Sequence, residues 1–483
     1  MQRVTQSGGY DKIKRVLSIL LVCLLSGCAS RPINERIDQV DESEGYRPNL
    51  LMSKQQNNDP STLFVLSFSG GGTRAASLSY GVLEELNRYQ FAVEGQQRRL
   101  IDEIDVITGV SGGSFTALSY ALHGDKLFEE YEERFLKRNV QGTLVRRSVL
   151  NPVSWFKLMS GNYGRSELAA EYYDEILFDN ATFKDLLDLG RPIAIATGTT
   201  LSTGARFAFY QNDFDLICSD LGSMHLSRAA ATSSAVPVAL SPVTMNNYGG
   251  TCNYEYPAWV RDAVKVDPDA RPSERAYARY REMKMLQDSG KHPYIHLVDG
   301  GVADNLGVRG VLEALDELSF SGSFRRQSGY GGIRTIVLIV VNAESNRPND
   351  WDQKAKPPNS ITQTLQSSGV PIARYTFETV ELMKEMVEDA AWQRQLDIAE
   401  ARLAGASKEE AAAQFPEVEM LVFDVSFNAI RDDDERLYFQ SLPTSFSLPE
   451  DDVDRLREIG GVLLRQSPVY QQVLDQIGAE RMP

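Results

Sequence analysis

The chain has 483 residues, 42% of them hydrophobic, and its 50 Lys and Arg against 66 Asp and Glu give a formal net charge of −16. The apolar content is ample for packed cores. The acidic balance argues against nucleic-acid binding, which is driven by Lys and Arg neutralising phosphate, and no His/Cys group has metal-ligand spacing, so neither a metal nor a cofactor is expected.

The first expected element is a targeting segment. Arg3, Lys12, Lys14 and Arg15 precede an apolar run from Val16 to Leu25, long enough for a signal-peptide core but short of the roughly 20 residues that span a bilayer. The run ends in LSGC, Leu25 to Cys28, which resembles a bacterial lipobox. That resemblance implies a lipid on Cys28, which becomes the first residue of the mature chain. Ala29 rather than aspartate follows it, and the same resemblance then points to the outer membrane, facing the periplasm. Removing residues 1–27 takes away those four basic groups and Asp11, so the formal charge moves from −16 to −19. Cys23 leaves with the signal, and Cys218 and Cys252 remain, either as a disulfide suited to an oxidising compartment or as two buried thiols.

Residues 29–60 contain Arg31-Pro32, Asp41, Glu42, Glu44 and then KQQNNDPS, with little apolar periodicity. They read as a flexible tether. The folded region opens with TLFVLSF, Thr62 to Phe68, a buried-strand candidate, followed by Gly70, Gly71 and Gly72 and a helical pattern on Leu78, Val82, Leu83 and Leu86. Gly70, Gly72 and Ala75 match the G-x-G-x-x-G/A pattern of a dinucleotide loop, with Glu94 as the ribose acid, but YQFAVEGQQRR around Glu94 is a poor second strand. A Walker loop is excluded, because no Gly-Lys-Ser/Thr ending is present. The other use of such a turn is an oxyanion hole, in which glycine amides approach the developing charge of an acyl-transfer transition state.

A second strand, turn and helix follow. Ile104, Val106 and Ile107 form a short strand candidate, GVSGG runs from Gly109 to Gly113, and Phe115, Leu118, Ala121 and Leu122 make a helical stripe. Ser111, between Gly109 and Gly113, fits G-x-S-x-G, the elbow that lifts a serine hydroxyl above a sheet edge beside a helix N-terminus. A serine nucleophile needs a base. The histidines are His123, His225, His292 and His296, and none lies late in the chain where an ordinary α/β-hydrolase triad has its histidine. The strand candidate Tyr294 to Val298 ends instead at Asp299, followed by Gly300 and Gly301. An ordinary carboxylate is a weak base for a hydroxyl, so this pairing requires a desolvated site and strong oxyanion stabilisation.

SGGGTRA (Ser69 to Ala75), GVSGG and VDGG (Val298 to Gly301), in this order, resemble the three signature blocks of the patatin-like phospholipases. LSRAAATSSAVPVALSPV, Leu226 to Val243, resembles the family's stretch of small residues between them. The resemblance implies a three-layer α/β/α sandwich with a mainly parallel central sheet and a lipid acyl hydrolase working through a Ser-Asp dyad: Ser111 as nucleophile, Asp299 as base, Gly70, Gly71 and Gly72 as the oxyanion hole, and Arg74 beside it. It departs at Ala75, where the family often has glycine. Membrane lipid is the implied substrate, as a phospholipase A or lysophospholipase; acyl transfer uses the same parts, and a binding lipoprotein without turnover is the reading from another class.

Other features have plainer readings. His296 alternates with Ile295 and Leu297 and reads as a packed residue near the site, and Asp304 is a rival acid or a turn former. Phe377, Val380, Met383, Val387, Ala390 and Ala391 make one stripe of a packed helix over Tyr375 to Ala406. RRSVLNPVSWFKLMSGNYG, Arg146 to Gly164, mixes basic and aromatic groups that could touch lipid headgroups or pack internally. The expected organisation is a signal peptide and lipobox over 1–28, a tether over 29–60, and a hydrolase domain over 61–483. That domain carries helical insertions at about 124–190 and 256–290, the second placed to cover the site, and an extension at about 346–483.

Overall fold

At the centre of the fold lies TLFVLSF, which forms β1 (Thr62–Phe68), buried at six of its seven positions. In the computed structural model of the chain, residues 31–482 are described apart from 53, 56–57, 94, 161–162, 238, 258–259, 262–273, 314–331, 347–350 and 416. The targeting segment, Cys28 and Glu94 therefore lie outside the described residues.

The strands in chain order are β1, β2 (Tyr89–Val93), β3 (Gln96–Arg99), β4 (Val106–Gly109), β5 (Ile193–Thr200), β6 (Arg206–Ala208), β7 (Val243–Asn246), β8 (Tyr294–Asp299), β9 (Thr335–Asn342), β10 (Glu419–Ser426) and β11 (Glu480–Arg481). The central sheet has eight strands in the order β10-β9-β1-β4-β5-β8-β7, with β6 beside β5. From β10 to β5 all pairs are parallel, and β8 is the first antiparallel neighbour. The near-continuous apolar runs of β1 and β9 (TIVLIVVN) follow from burial on both faces, as parallel sheets require.

Helices cover the sheet in an α/β/α arrangement. Those that matter here are α1 (Thr73–Leu86), α2 (Gly112–His123), α3 (Val140–Leu150), α4 (Pro152–Met159), α5 (Leu226–Ser233), α6 (Glu274–Leu286), α7 (Ser360–Leu403) and α8 (Glu450–Gln466). Gly81 of α1 and Gly460 of α8 let those two helices meet backbone to backbone: a Cβ at Gly460 would lie 2.7 Å from the Leu78 carbonyl. The carboxyl-terminal stretch is therefore part of the sandwich, through α8 on α1 and through β10 beside β9.

Three expectations change. Residues 31–52 are not a free tether but lie on the domain: Ile37 N donates to Cys218 O at 2.9 Å, Tyr46 is buried against β5, and Arg47 pairs with Asp215 at 2.7 Å, both side chains buried. Polar anchors rather than an apolar stripe hold this irregular segment, so periodicity does not reveal it. Tyr89 to Arg99 does form strands, but as an antiparallel ribbon with β11, separate from the central sheet, which removes the dinucleotide unit. The helix expected over Tyr375 to Ala406 is the longer α7, and it is largely exposed; Phe377 and Trp392 face solvent while Thr376, Thr379 and Met383 are buried. Helix α6, in the second insertion, is fastened at its carboxyl end: Leu286 O accepts from Asn247, and Leu216 O from Gln287 just after the helix.

Candidate active site

β1 and β4 are parallel neighbours, with Phe68 opposite Gly109, so their two glycine turns leave the sheet side by side. In the second turn Ser111 has φ 48° and ψ −119°, left-handed backbone that is costly for a residue with a Cβ. The tight packing explains the flanking glycines. A Cβ at Gly113 would lie 2.5 Å from the Phe68 carbonyl, and one at Gly109 2.6 Å from Ser114 Cα. The strained residue is held from both sides, since Ser111 N donates to Ser233 Oγ at 2.9 Å and Ser111 O accepts from Ser114 Oγ at 2.6 Å.

Asp299 arrives from the other side of the sheet. It ends β8 opposite Gly198 of β5, two residues beyond Ala196, which pairs with Gly109. This register brings its carboxylate beside the Ser111 hydroxyl, close enough for the hydroxyl to pull the carboxyl's pKa down. Ser111 and Asp299 are only 5% and 7% exposed. Asp299 Oδ1 also accepts from Gly301 N at 2.8 Å, and Thr199 Oγ1 donates to Asp299 O at 2.8 Å. Gly300 follows against Thr197, whose carbonyl a Cβ there would strike. Burial pushes the Asp299 carboxyl up to about 6, against the lowering pull of the Gly301 amide and the Ser111 hydroxyl. A base so tuned is half ionised near pH 6 and far better matched to a hydroxyl than an ordinary carboxylate.

The first turn supplies amides, with one change. Gly70 N is engaged by Asn305 O at 2.9 Å, so the expected set of three donors is reduced. Gly71 and Gly72 have φ of 147° and 62°, backbone that side-chain-bearing residues rarely adopt, and among the described residues their amides have no hydrogen-bond partner. The Gly112 amide, directly after Ser111, is likewise free among the described residues, where an elbow places an oxyanion donor. Gly112 backs onto the Gly72 carbonyl so closely that a Cβ could not fit.

Arg74 is buried beside the turn, one guanidinium nitrogen 3.1 Å from a Cβ built on Gly71. Its Nε donates to Ala343 O at 2.9 Å, and its guanidinium also reaches Leu442 O and Thr444 Oγ1 at 2.6 and 3.1 Å. Thr73 N donates to Ser445 O at 2.8 Å, so a loop from the carboxyl-terminal stretch braces the glycine turn. His296 is exposed rather than packed, and its Nδ1 meets Thr244 Oγ1 at 2.9 Å. Asp304 is buried and accepts from Gly307 N and Arg309 N, the turn-forming role. Cys218 and Cys252 are joined as a disulfide.

Three residues of the site escape sequence reasoning. Ser233, at the end of α5, holds Ser111 N; Thr199 holds the Asp299 carbonyl; and Asn305 lodges between the turns, its Oδ1 2.5 Å from a Cβ built on Gly70 and 2.8 Å from one on Gly301. Ser233 lies in the small-residue stretch and Asn305 in VDGGVADN, but nothing in either run distinguishes these side chains from their neighbours. No group of His, Cys, Asp and Glu able to hold a metal occurs among the described residues.

No curated protein matches the chain. Among solved structures it is similar to human GIVD cytosolic phospholipase A2, with a TM-score of 0.44 at 11% identity, covering 93% of this chain. The complex of that enzyme with methyl gamma-linolenyl fluorophosphonate gives 0.39 at 12% identity, covering 91% of this chain and 64% of that one. The chain spans 66% of the length of the first of these. The profile of the patatin-like phospholipases matches residues 66–312, more than half of the chain, and that stretch runs from within β1 past Asn305 to take in both glycine turns, Ser111 and Asp299; the chain belongs to the patatin-like phospholipase family.

Proposed function

We propose that this family member cleaves acyl esters of membrane lipids by a serine hydrolase mechanism, with Ser111 as nucleophile and Asp299 as base. The observation that carries the reading is the strained, buried Ser111 set beside a buried carboxyl raised to about 6. As Ser111 Oγ attacks the acyl carbonyl its proton passes to Asp299, and the carbonyl oxygen becomes an oxyanion. The amides of Gly71 and Gly72, unpartnered among the described residues, and that of Gly112 are the donors available to it, each worth about 3 kcal/mol by analogy with single oxyanion-hole deletions. Collapse breaks the bond to the leaving alcohol, which takes the proton from Asp299 and leaves an acyl-Ser111. Water then gives its proton to Asp299 and its oxygen to the acyl carbon, releasing the fatty acid and restoring the serine.

A phospholipid or lysophospholipid suits an enzyme tethered by lipid at Cys28 in an outer membrane, because the anchor raises the local concentration of the substrate. A fluorophosphonate probe tests the nucleophile. Labelling of the wild type and its loss in Ser111→Ala is the expected result, and equal labelling of both, or none of the folded wild type, overturns the proposal. Mass spectrometry of a bacterial lipid extract treated with each form reports the product: free fatty acid supports hydrolysis, and a new acylated lipid redirects the reading to acyl transfer.

A further inference from the structure

The hairpin of α3 and α4 presents apolar side chains to the outside. Val145, Val149, Leu150, Val153, Trp155 and Met159 are all exposed, Leu150 to 68% and Met159 to 81%. Val145 and Val149 share one face of α3, one turn apart, as Trp155 and Met159 do on α4, so much of the exposure is paired along helix faces rather than scattered. The charge around it is equally unusual. Residues 134–166 contain seven Lys and Arg and no Asp or Glu, in a chain of net charge −16. At least four of the cations are paired with acids from outside this stretch, Arg134 with Glu130 and Asp179, Lys137 with Glu132 and Asp454, Arg147 with Glu175 and Lys157 with Glu171, while Arg146 is exposed beside the apolar side chains.

Its place in the fold ties the hairpin to the catalytic edge. Gln141, at the start of α3, exchanges hydrogen bonds with Phe446, in the loop that braces the glycine turn. After α4 the chain returns to Ser166, whose amide donates to Ser241 Oγ at 3.1 Å. Ser241 stands two residues before Val243, the partner of Leu297, itself two residues from Asp299. The hairpin thus leaves the core beside the oxyanion turn and rejoins it beside the strand of the base. The first described residue emerges on the same side. Arg31 bonds Thr244 O at 3.2 Å and lies over the Tyr294 ring, at the end of β8 that projects past Thr200, beyond the edge where β1 and β4 stop.

We infer that the α3–α4 hairpin docks on a bilayer containing anionic phospholipid, seating its exposed apolar side chains among the acyl chains and its cations at the headgroups, and so turns the catalytic edge toward the lipid. The occupant is a lipid surface because the exposed Arg146 stands beside the apolar side chains, and because Arg31 is held on the same side. The inference rests on the proposed lipid hydrolase for its purpose but not for its test.

Trp155 is a native reporter. The full-length protein is reconstituted in vesicles of phosphatidylethanolamine and phosphatidylglycerol, with and without brominated acyl chains, beside Trp155→Phe. The expected result is a bromolipid-quenched emission component that the variant lacks, and that shrinks when phosphatidylcholine replaces phosphatidylglycerol. Equal quenching in both proteins overturns the inference, as does cross-linking of a Leu150→Cys variant into dimers without any such quenching. In a second arm, Val149→Asp/Val153→Asp changes only exposed positions. Hydrolysis of a soluble short-chain ester stays unchanged, and turnover of vesicle phospholipid falls at least tenfold. Unchanged turnover on both substrates overturns docking and leaves the hydrolase standing; quenching by a protein inert on both keeps docking and sinks the hydrolase.

Discussion

Replacing Asp299 by Asn separates the chemistry of the site from its energetic cost. The carboxyl is raised from an ordinary 3.8 to about 6, mainly by burial. At about 1.36 kcal/mol for each pH unit of displacement, the ionised side chain costs the folded state about 3 kcal/mol at pH 8. The sign follows from proton binding. Between pH 3.8 and about 6 the folded chain keeps a proton that the unfolded chain has released, so this group's contribution falls as pH rises through that window and levels off above it. Asn retains an oxygen for the Gly301 amide and carries no charge. Asp299→Asn is therefore expected to be more stable than wild type at pH 8 by up to about 3 kcal/mol, with the difference vanishing below pH 4. Unfolding entropy of about 2.1 cal/mol/K per residue makes this a gain of about 3 °C for a chain of this size. The same variant loses the base, and turnover should fall about 10²- to 10⁴-fold. Scanning calorimetry at pH 4 and pH 8, with ester hydrolysis on the same samples, makes the comparison. A variant that is active within tenfold of wild type, or that is destabilised equally at both pH values, refutes the reasoning.

The wild-type pH–rate profile should lose activity on the acid side with a midpoint near 6, where the Asp299 carboxylate takes up its proton; a flat profile down to pH 4.5 assigns the base elsewhere. Gly72→Ala puts a Cβ at φ 62° against the Ser445 carbonyl, and fluorophosphonate labelling should slow by about 10²-fold or more, the scale of one lost oxyanion donor; labelling at the wild-type rate removes this turn from the mechanism. Arg47→Ala leaves Asp215 buried without its partner and should cost about 3–5 kcal/mol in urea unfolding, whereas a loose amino-terminal tether predicts no change. Replacing both Cys218 and Cys252 by Ala opens a closure over 34 positions and should cost about 3–4 kcal/mol, with the melting temperature then insensitive to reductant.

The amino-acid sequence by itself determined the local units. TLFVLSF reads as a buried strand, because it is short, apolar, rich in β-branched and aromatic residues and followed by a glycine turn, and the glycines around Ser111 announced a turn whose backbone most residues rarely adopt. It also held the order of the three blocks, and with it the family. Only the tertiary structure decided which groups meet. The 188 positions between Ser111 and Asp299 close because β8 runs antiparallel to β5, and a strand's direction depends on the sheet edge it joins, not on its own residues. The same holds for the loss of Gly70 as a donor, the turning of Arg74 toward Ala343 and Leu442, and the packing of residues 31–52. Each rests on one or two hydrogen bonds between distant segments, and such contacts leave no periodic trace in the chain.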